Sequence, residues 1–353
     1  MTLASGGTPV IRRAERSDTE QVLTFLDRHW RRDHVFARRP ALFAWQHLEG
    51  EHLNVVLAQD GEEVVGLLGY LPVDHFDPAL AGSGPAVALA VWKVVEERGG
   101  PGLGLQLLNH LRRVLRPRLV FAVGLSETVI PLYRALRWTV GVMDHHVLPN
   151  PAARDRVIAP GLAGLRPARA TDDGGRLLGR WGRADALPAG LEAVTRCTEP
   201  VKSVRYLTER YLRHPEYDYE VVAVGTPGRT PTLLVLRRVS VGTAAALRVV
   251  DVVGPTDGLS VSGRALLDLL EDSGAEYLDV QHHGLAHDHL AAAGFTDRRA
   301  VPGLVVPGYF EPFEARNVDL DFAHRRYAAP DGADHSIPLR LLRGDTDQDR
   351  PNL

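Results

Sequence analysis

Residues 86–111 read AVALAVWKVVEERGGPGLGLQLLNHL, and this stretch decides the fold. Its first part, Val87 to Val95, is an apolar run that predicts a buried strand. Its second part carries apolar residues at helical spacing and predicts a helix: Leu105, Leu108 and Leu111. A glycine-rich turn joins the two: Gly99, Gly100, Pro101, Gly102 and Gly104. A strand that turns through glycine into a helix aims unpaired helix N–H groups at an anion, so the sequence predicts a phosphate ligand.

Three kinds of phosphate loop compete for this turn. A Walker loop ends in Gly-Lys-Ser/Thr, whereas Gly104-Leu105-Gln106 has neither the lysine nor the hydroxyl. A Rossmann turn needs a third glycine, where Leu107 stands, and a carboxylate after the next strand, where Gly124-Leu125-Ser126 offers none. The half-motif Gly102-Leu103-Gly104 is similar to the pyrophosphate loop of GNAT-superfamily acetyltransferases, Gln/Arg-x-x-Gly-x-Gly/Ala. In that comparison Gly99 takes the Gln/Arg position and Arg98 lies one residue earlier.

Composition narrows the possible partners and the compartment. The 353 residues include 41 basic and 44 acidic side chains, so the net charge of −3 favours neither nucleic acid nor a membrane surface as a partner. The single cysteine, Cys197, excludes an internal disulfide and a cysteine metal cluster. We see no signal peptide and no uncharged apolar run long enough to span a bilayer. We therefore expect a soluble, cytoplasmic protein, and leave open whether it is a monomer or a homodimer.

The predicted elements divide the chain into two similar halves. Residues 1–150 have the order of a whole GNAT domain: strand, two helices, hairpin, central strand, glycine turn with helix, strand, helix, strands. Residues 151–164, rich in proline, alanine and glycine, predict a linker. Residues 165–312 repeat the order more faintly, with a helical region predicted from about Gly174 to Arg213. We expect an α+β fold, a three-layer α/β arrangement of tandem GNAT-like domains, each with a mixed central sheet flanked by helices.

The second half lacks the phosphate signature of the first. Its corresponding loop, Gly254-Pro255-Thr256-Asp257-Gly258, has no Gly-x-Gly and places a carboxylate where a pyrophosphate would sit. We expect this domain to be degenerate, without coenzyme A, and to help bind the acceptor. Residues 313–353 form a C-terminal extension whose acidic, turn-rich end predicts a frayed terminus. Ordering of this tail against a hydroxyl-rich ligand or the other domain is the alternative.

Several passages together resemble one branch of the GNAT superfamily. They are Asp33-His34-Val35-Phe36 with Trp45-Gln46, Leu89 to Lys93, Pro101 to Gly104, and the closing Gly344-Asp-Thr-Asp-Gln-Asp-Arg-Pro-Asn352. The chain resembles the two-domain N-acyltransferases that modify nucleotide-linked amino sugars. That resemblance implies acetyl-CoA or another acyl-CoA as donor and a nucleotide-linked amino (deoxy) sugar as acceptor. The rival functions are N-acetylation of an aminoglycoside, peptide or other antibiotic amine, and non-catalytic acyl-CoA binding.

The donor site is expected around the glycine turn. Backbone N–H groups of a splayed central strand, near Val91 to Val94, would stabilise the charged carbonyl oxygen. The predicted cofactor-binding residues are Val91, Lys93, Arg98, Gly99, Gly102, Leu103, Gly104 and Ser126. Tyr133-Arg134-Ala135-Leu136-Arg137-Trp138 also resembles the superfamily's Tyr-x-x-x-Gly-Phe ending. The resemblance implies that Tyr133 protonates the leaving thiolate.

The acceptor amine must lose a proton before it attacks the thioester, and a histidine is a suitable general base. The candidates are His34 and His75, because both positions can face the acceptor side of the sheet. The predicted substrate-binding residues are Trp45, Gln46, Asp74, His282, His283, Asp347 and Arg350. We expect no metal site, because neither a cysteine nor a matched carboxylate pattern completes one around His282, His283, His287 and His289.

Overall fold

The computed structural model describes residues 8–82, 84–167, 174–194, 197–327 and 337–351. The chain forms two compact units. The first comprises Met1–Ala122 and a returning segment that starts at His324, and the second comprises Val123–Ala323 and a segment that ends at Pro351. Among the helices in these ranges, none is long and apolar enough to cross a membrane.

The first unit is built on a mixed sheet in the order β1-β3-β4-β5-β6, with β2 paired to β3. Its neighbouring strands are antiparallel except β5 and β6, which run parallel and are connected through α5. The strands are β1 (Val10–Glu15), β2 (Leu48–Glu49), β3 (His52–Asp60), β4 (Glu63–Pro72), β5 (Ala86–Val94) and β6 (Leu119–Val123). The helices are α1 (Thr19–Phe25), α2 (Val35–Arg38), α3 (Pro40–His47), α4 (Glu96–Gly99) and α5 (Leu103–Leu115).

Helices cover both faces of this sheet. On one face, α1 to α3 contribute Val22, Phe36 and Phe43 to a core that includes Leu57 of β3 and Val91 of β5. On the other face lies α5, whose buried side chains recur at helical spacing: Leu103, Leu107, Leu108 and Leu111. The amphipathic pattern read from the sequence therefore sets the orientation of α5 on the sheet.

The second unit repeats this plan. Its main sheet has the order β14-β8-β13-β12-β11-β10-β9, with β18 also paired to β13. The remaining strands of the chain are β7 (Thr139–Val142), β8 (Asp144–Pro149), β9 (Arg176–Trp181), β10 (Glu220–Gly225), β11 (Thr232–Val241), β12 (Ala244–Val253), β13 (Tyr277–His283), β14 (Thr296–Asp297), β15 (Tyr309–Phe310), β16 (Phe313–Glu314), β17 (Asp321–Arg326) and β18 (Leu341–Leu342), of which β17 and β7 follow β6 in the order of the first sheet. The helices are α6 (Ile130–Ala135), α7 (Val204–Leu207), α8 (Asp257–Ser260), α9 (Gly263–Ser273) and α10 (His287–Ala292).

The two sheets share an internal repeat. In the first, β1 pairs with the meander β3-β4-β5, and a helical crossover leads to the parallel strand β6. In the second, β9 pairs with the meander β10-β11-β12, and α9 leads to the parallel strand β13. The predicted class, tandem mixed sheets flanked by helices, is therefore confirmed.

The units divide at a different place from the expected linker. β8 lies within the predicted first domain, 1–150, but pairs with β13 from Tyr277 to His282. Residues of the expected linker, 151–164, are also part of the second unit, where Ile158, Ala159 and Leu162 are buried. The two units divide between Ala122 and Val123. The pairing of β8 with β13, about 130 residues later in the chain, places β8 in the second unit in spite of the local composition.

Two further expectations are corrected by the structure. Part of the region predicted to be helical, from about Gly174 to Arg213, forms strand β9, paired with β10. The C-terminal end is not frayed up to Pro351: β18 pairs with β13, and Arg343 to Asp347, Asp349 and Arg350 are buried. The charged side chains of this tail are buried because buried partners of opposite charge, such as Lys202 and Arg210, receive them.

Candidate active site

A bulge interrupts the pairing of β4 and β5 in the first sheet. The register shifts by one residue between Leu68 and Tyr70, so Ala90 and Val91 of β5 both face Gly69. A Cβ on Gly69 would lie 3.7 Å from the backbone N and O of Val91. Because a bulge leaves one residue outside the ladder and re-aims its neighbours, polar backbone groups become available here in the middle of the unit.

The pairing of β5 with β6 ends before this bulge. β5 pairs with β6 only from Ala86 to Leu89 in the described chain, where Leu89 lies opposite Ala122. Residues 90–94 continue β5 beyond the end of this pairing. An unpaired strand edge accepts an extended, amide-containing chain through backbone hydrogen bonds. The pairing with β6 thus ends before the residues at which we expected the strand to splay, Val91 to Val94.

The glycine turn connects the C-terminal end of β5 to the N-terminus of α5. Gly100 and Gly102 have φ angles of 64° and 83°, a backbone region that favours glycine, and a Cβ on either would meet no atom within 4 Å. Intrahelical bonding of α5 begins where the Gln106 N–H donates to the Gly102 carbonyl, so the N–H groups of the first turn lack helical acceptors. This end of a 13-residue helix attracts an anion.

Two of the predicted loop residues have packing roles. A Cβ on Gly99 would overlap Cγ1 of Val94, so the close contact between α4 and β5 requires glycine there. The Leu103 side chain is buried, and its Cδ2 lies 3.3 Å from the position of a Cβ on Gly66 of β4. The close approach of Gly99 to Val94 and the buried Leu103 side chain therefore fix the turn on the sheet, while Gly100 and Gly102 face open space.

The charges beside the turn differ from the expectation. The guanidinium of the exposed Arg98 donates hydrogen bonds to Asp60, at 3.2 Å, and to Glu63. These two hydrogen bonds raise the pKa of Arg98. Because two carboxylates already balance its charge, Arg98 is not the available phosphate partner that the sequence predicted. Lys93, half-buried on β5, is the other predicted basic residue of the donor site.

The two histidines predicted as bases both hold structural contacts. His34 is buried and caps the N-terminus of α2, where its Nδ1 accepts a hydrogen bond from the Phe36 N–H at 3.3 Å. His75 lies 3.0 Å from the Trp45 carbonyl through Nε2 and 3.3 Å from Asn54 Nδ2 through Nδ1. A carbonyl can only accept, so His75 donates from Nε2 and accepts at Nδ1. His75 therefore links Trp45 of α3 to Asn54 of β3, and both of its ring nitrogens are engaged.

A third histidine, His47, lies at the bulge and was not predicted. Its Cε1 is 3.7 Å from the position of a Cβ on Gly69. The ring packs against Phe36 and Phe43, and its Nε2 is 3.2 Å from Nε2 of Gln46. His47 is the last residue of α3 and looked like a core position in the sequence. The bulge beside which His47 lies leaves no simple sequence signal.

The predicted acceptor residues of this unit surround the end of β4. Trp45 stacks on Phe76 with ring centroids 5.1 Å apart, and its carbonyl accepts from His75. Gln46 is buried beside His47. Asp74 is half-buried, and its Oδ1 has no hydrogen-bond partner among the described residues. Burial raises the pKa of Asp74, with a further contribution from Glu49. An unpartnered carboxylate oxygen of this kind suits an ammonium or a sugar hydroxyl.

Solved structures with the same architecture were found by comparison, while no family model and no curated protein sequence matches the chain. A GCN5-related N-acetyltransferase from Anabaena variabilis matches 90% of this chain and 72% of its own, at 11% identity and a TM-score of 0.54. One from Kribbella flavida matches 92% and 72%, at 17% identity and a TM-score of 0.51. A probable N-acyltransferase from Enterococcus faecalis matches 91% and 72%, at 9% identity and a TM-score of 0.52.

The fold is that of the GCN5-related N-acetyltransferases. The matches extend over both units, so the tandem arrangement of this GNAT fold is shared as well. At these identities the likeness establishes the architecture, and the chemistry has to be argued from the residues.

The second GNAT-like unit has its strand opening filled by its own tail. β12 and β13 pair from Leu247 to Val249 and then diverge, and β18 pairs with β13 at His282 and His283 in the space that follows. Nη1 of Arg340 donates to the Val252 and Gly254 carbonyls at the end of β12. Since the tail makes the contacts that a bound chain would make, the described residues of this unit leave no open strand edge at the equivalent place.

The predicted residues Tyr133 and Ser126 belong to the second unit. Tyr133, on α6, is buried and packs on Trp138 with ring centroids 4.8 Å apart. Burial raises the pKa of its phenol, so it stays protonated at neutral pH. Ser126 is exposed, and its Oγ lies 2.9 Å from Oγ1 of Thr128.

The four acceptor residues predicted in the second half are not gathered in one open site. His282 is fully buried, and His283 packs on Phe322 with ring centroids 4.4 Å apart. Arg350 is buried in the tail, 3.6 Å from Asp349. Asp347 is buried too, and its Oδ1 accepts from Gln348 at 3.3 Å. For Arg350 and His282 in particular, the structure shows internal contacts where we expected ligand contacts.

Proposed function

We propose that this protein transfers an acyl group from acetyl-CoA or another acyl-CoA to the amine of a nucleotide-linked amino sugar. One observation carries the donor half of this proposal. Among the described residues β5 pairs with β6 only from Ala86 to Leu89, and the strand then leads through an open glycine turn to the first-turn N–H groups of α5, which lack helical acceptors. The residues present therefore fit a ligand that combines an extended amide chain with a diphosphate.

Each part of acyl-CoA has a matching feature along this path. The pantetheine amides form backbone hydrogen bonds with β5 beyond Leu89, in the way an added strand does. The pyrophosphate accepts from N–H groups around Gly102 to Gly104, over the open space at Gly100 and Gly102. The thioester carbonyl lies at the bulge, where a backbone N–H near Val91 stabilises the charge on its oxygen as the amine attacks.

We assign the general-base role to a histidine beside the bulge. His47, placed at Gly69, takes the proton of the attacking amine, a role that contributes about 10²–10⁴-fold to the rate. His34 and His75 position α2 and α3 in this proposal. The amine attacks the thioester directly: the C–N bond forms as the C–S bond breaks, and no acyl-enzyme intermediate is formed.

The acceptor class is supported by the sequence resemblance and by Asp74. The unpartnered Oδ1 of Asp74 accepts from the ammonium or a hydroxyl of the sugar. Trp45 and Gln46 are proposed as further acceptor contacts. The filled opening of the second unit leads us to expect one acyl-CoA site per chain.

A mass-spectrometric screen of acyl-CoAs against amines tests the proposal. The amines are nucleotide-linked amino sugars, aminoglycosides and peptides, and calorimetry measures coenzyme A binding in parallel. An acylated nucleotide sugar, with one coenzyme A bound per chain, is the expected result. Acylation restricted to aminoglycosides or peptides would overturn the acceptor assignment, and binding without transfer to any amine would indicate a binding module. A lack of coenzyme A binding would overturn the donor site.

A further inference from the structure

Three histidines from separate elements meet in the second unit. They are His146 on β8, His282 on β13 and His287, the first residue of α10. One imidazole nitrogen from each lies within 4.8 Å of the others, and the ring centroids are 4.9–5.8 Å apart. We propose that His146, His282 and His287 bind a divalent transition-metal ion of the zinc class.

The register of β8 on β13 explains why two of these ligands converge. Asp144 lies opposite His282 and His146 lies opposite Val280, so His146 and His282 are diagonal neighbours on one face. Nε2 of His282 is 3.1 Å from Nδ1 of His146. Two nitrogens bound to one tetrahedral zinc are about 3.3 Å apart, given Zn–N distances of about 2.0–2.1 Å. This pair therefore already has nearly the spacing that a metal ion requires.

A carboxylate supports the third ligand. Nε2 of His287 is 3.0 Å from Oδ2 of Asp144, an arrangement that fixes the ring and leaves Nδ1 as the nitrogen available to a metal ion. Metal-binding histidines commonly use their second nitrogen in this way. Asp144 is itself held by Arg299 at 3.4 Å. The carboxylate also offsets part of the charge that a divalent ion would bring.

The exposure of the cluster and the chemistry of its ligands both favour an exchangeable metal ion with one open coordination position. His146 and His282 are buried, whereas the His287 side chain is 55% exposed, so the site opens to solvent on one side. Three imidazoles suit Zn²⁺, Co²⁺, Ni²⁺ or Cu²⁺ and do not suit Mg²⁺ or Ca²⁺. Three protein ligands leave the fourth tetrahedral position for water or a small ligand.

Binding requires a proton to move on one ring. Without metal, Nδ1 of His282 accepts from the Leu285 N–H at 3.4 Å, so its Nε2 carries the proton donated to His146. Coordination through Nε2 moves that proton to Nδ1. The cost is one long hydrogen bond from Leu285 and the bond to His146, both replaced by metal–nitrogen bonds. No redox partner and no other reactant is needed.

Cobalt titration of the full chain after chelator treatment tests the site. Co²⁺ alone is added, and visible absorption reports tetrahedral coordination while calorimetry gives the stoichiometry. We expect one ion per chain, at least a tenfold loss of affinity in His287→Ala, and about a 10–100-fold loss in Asp144→Asn. His289→Ala, on the same helix outside the cluster, is the matched control and should bind like the parent.

His282→Asn is the stronger test but alters a fully buried residue, so circular dichroism must first show that it folds. Equal cobalt affinity in the parent, His287→Ala and Asp144→Asn would overturn the proposal, as would the absence of saturable binding to the parent. These readouts do not depend on acyl transfer. The metal site and the proposed enzyme activity therefore stand or fall separately.

Discussion

Nε1 of Trp92 lies 3.2 Å from the position that a Cβ on Gly104 would occupy, so the indole of β5 rests against the first turn of α5. Gly104→Val would push the indole aside and place methyl groups beside the N–H groups proposed to hold the pyrophosphate. We predict that this variant folds but loses coenzyme A affinity by at least a hundredfold, as measured by calorimetry.

Gln106→Val is the matched control for that variant. Gln106 is exposed on the same helix, and its N–H already donates to Gly102. We expect coenzyme A to bind this control within about threefold of the parent. Unchanged affinity in Gly104→Val would show that the diphosphate binds elsewhere.

His47 gives the second prediction, because it is the histidine found at the bulge. His47→Gln should lower kcat by about 10²–10⁴-fold while leaving the KM for acyl-CoA nearly unchanged. It should also remove the acidic limb of the pH–rate profile, since the titrating base is gone. Steady-state kinetics over pH 5.5–9 measure both effects.

The comparison variants for His47 are His34→Asn and His75→Gln. In the structure, His34 caps the N-terminus of α2 and His75 holds the Trp45 carbonyl. We expect each to lower thermal stability and to keep the shape of the pH–rate profile. A profile altered by His75→Gln and preserved by His47→Gln would return the base role to the histidine that the sequence favoured.

His214 gives a third prediction, about stability and pH. It is fully buried, and its Nδ1 accepts from the Glu216 and Tyr217 N–H groups at 3.1 Å. Burial, with Arg350 and Arg210, lowers the pKa of His214 well below its ordinary value of 6.5. The folded state therefore keeps the ring neutral while the unfolded chain takes up a proton below pH 6.5. The free energy of unfolding should fall by up to about 1.4 kcal/mol per pH unit below that point.

His214→Asn isolates this contribution, because an asparagine oxygen can accept similar N–H groups without titrating. Denaturant unfolding at pH 7.5 and 5.5 should show a smaller loss of stability in the variant. Burial raises the pKa of Asp345, which has the opposite effect because the folded state then gains a proton on acidification. That contribution is common to parent and variant, so identical pH slopes would contradict the role of His214.

The elements that the sequence predicted well are those with local signals. The strand from Leu119 to Val123 was predicted with the observed bounds, and β5, the glycine turn and α5 followed from apolar runs and glycines. The bulge opposite Gly69 depends on pairing with β4 and has no local signature. This is why His47 was missed, although it lies next to the predicted Gln46.

Contacts between residues far apart in sequence account for the other features that the sequence did not predict. His146 and His282 meet because β8 pairs with β13, 136 residues away along the chain, and spacing in sequence gives no sign of this. The tail looked solvated because it is rich in aspartate and arginine. Its carboxylates are buried because Arg210 and Tyr219, more than 120 residues earlier, hydrogen-bond to Asp349.

The two lysines of the chain have separable roles, which gives a final prediction. Lys202 is buried between Asp251, at 2.5 Å, and Asp345 of the tail, at 2.8 Å. Burial alone would lower the pKa of Lys202, but these two carboxylates raise it. Lys202→Met leaves two carboxylates facing each other in the interior, at a cost of about 3–5 kcal/mol. The thermal midpoint should fall by on the order of 10 °C.

Adding Asp251→Asn and Asp345→Asn to Lys202→Met should recover much of that loss, because no unpaired charge then remains buried. Lys93→Met is the contrasting variant: it should keep the thermal midpoint and weaken acyl-CoA binding by about tenfold or more. Scanning calorimetry and ligand titration on the same preparations separate the two effects. If Lys93→Met lowered the midpoint as much as Lys202→Met and left acyl-CoA affinity unchanged, Lys93 would be a structural residue of β5 and would have no part in the donor site.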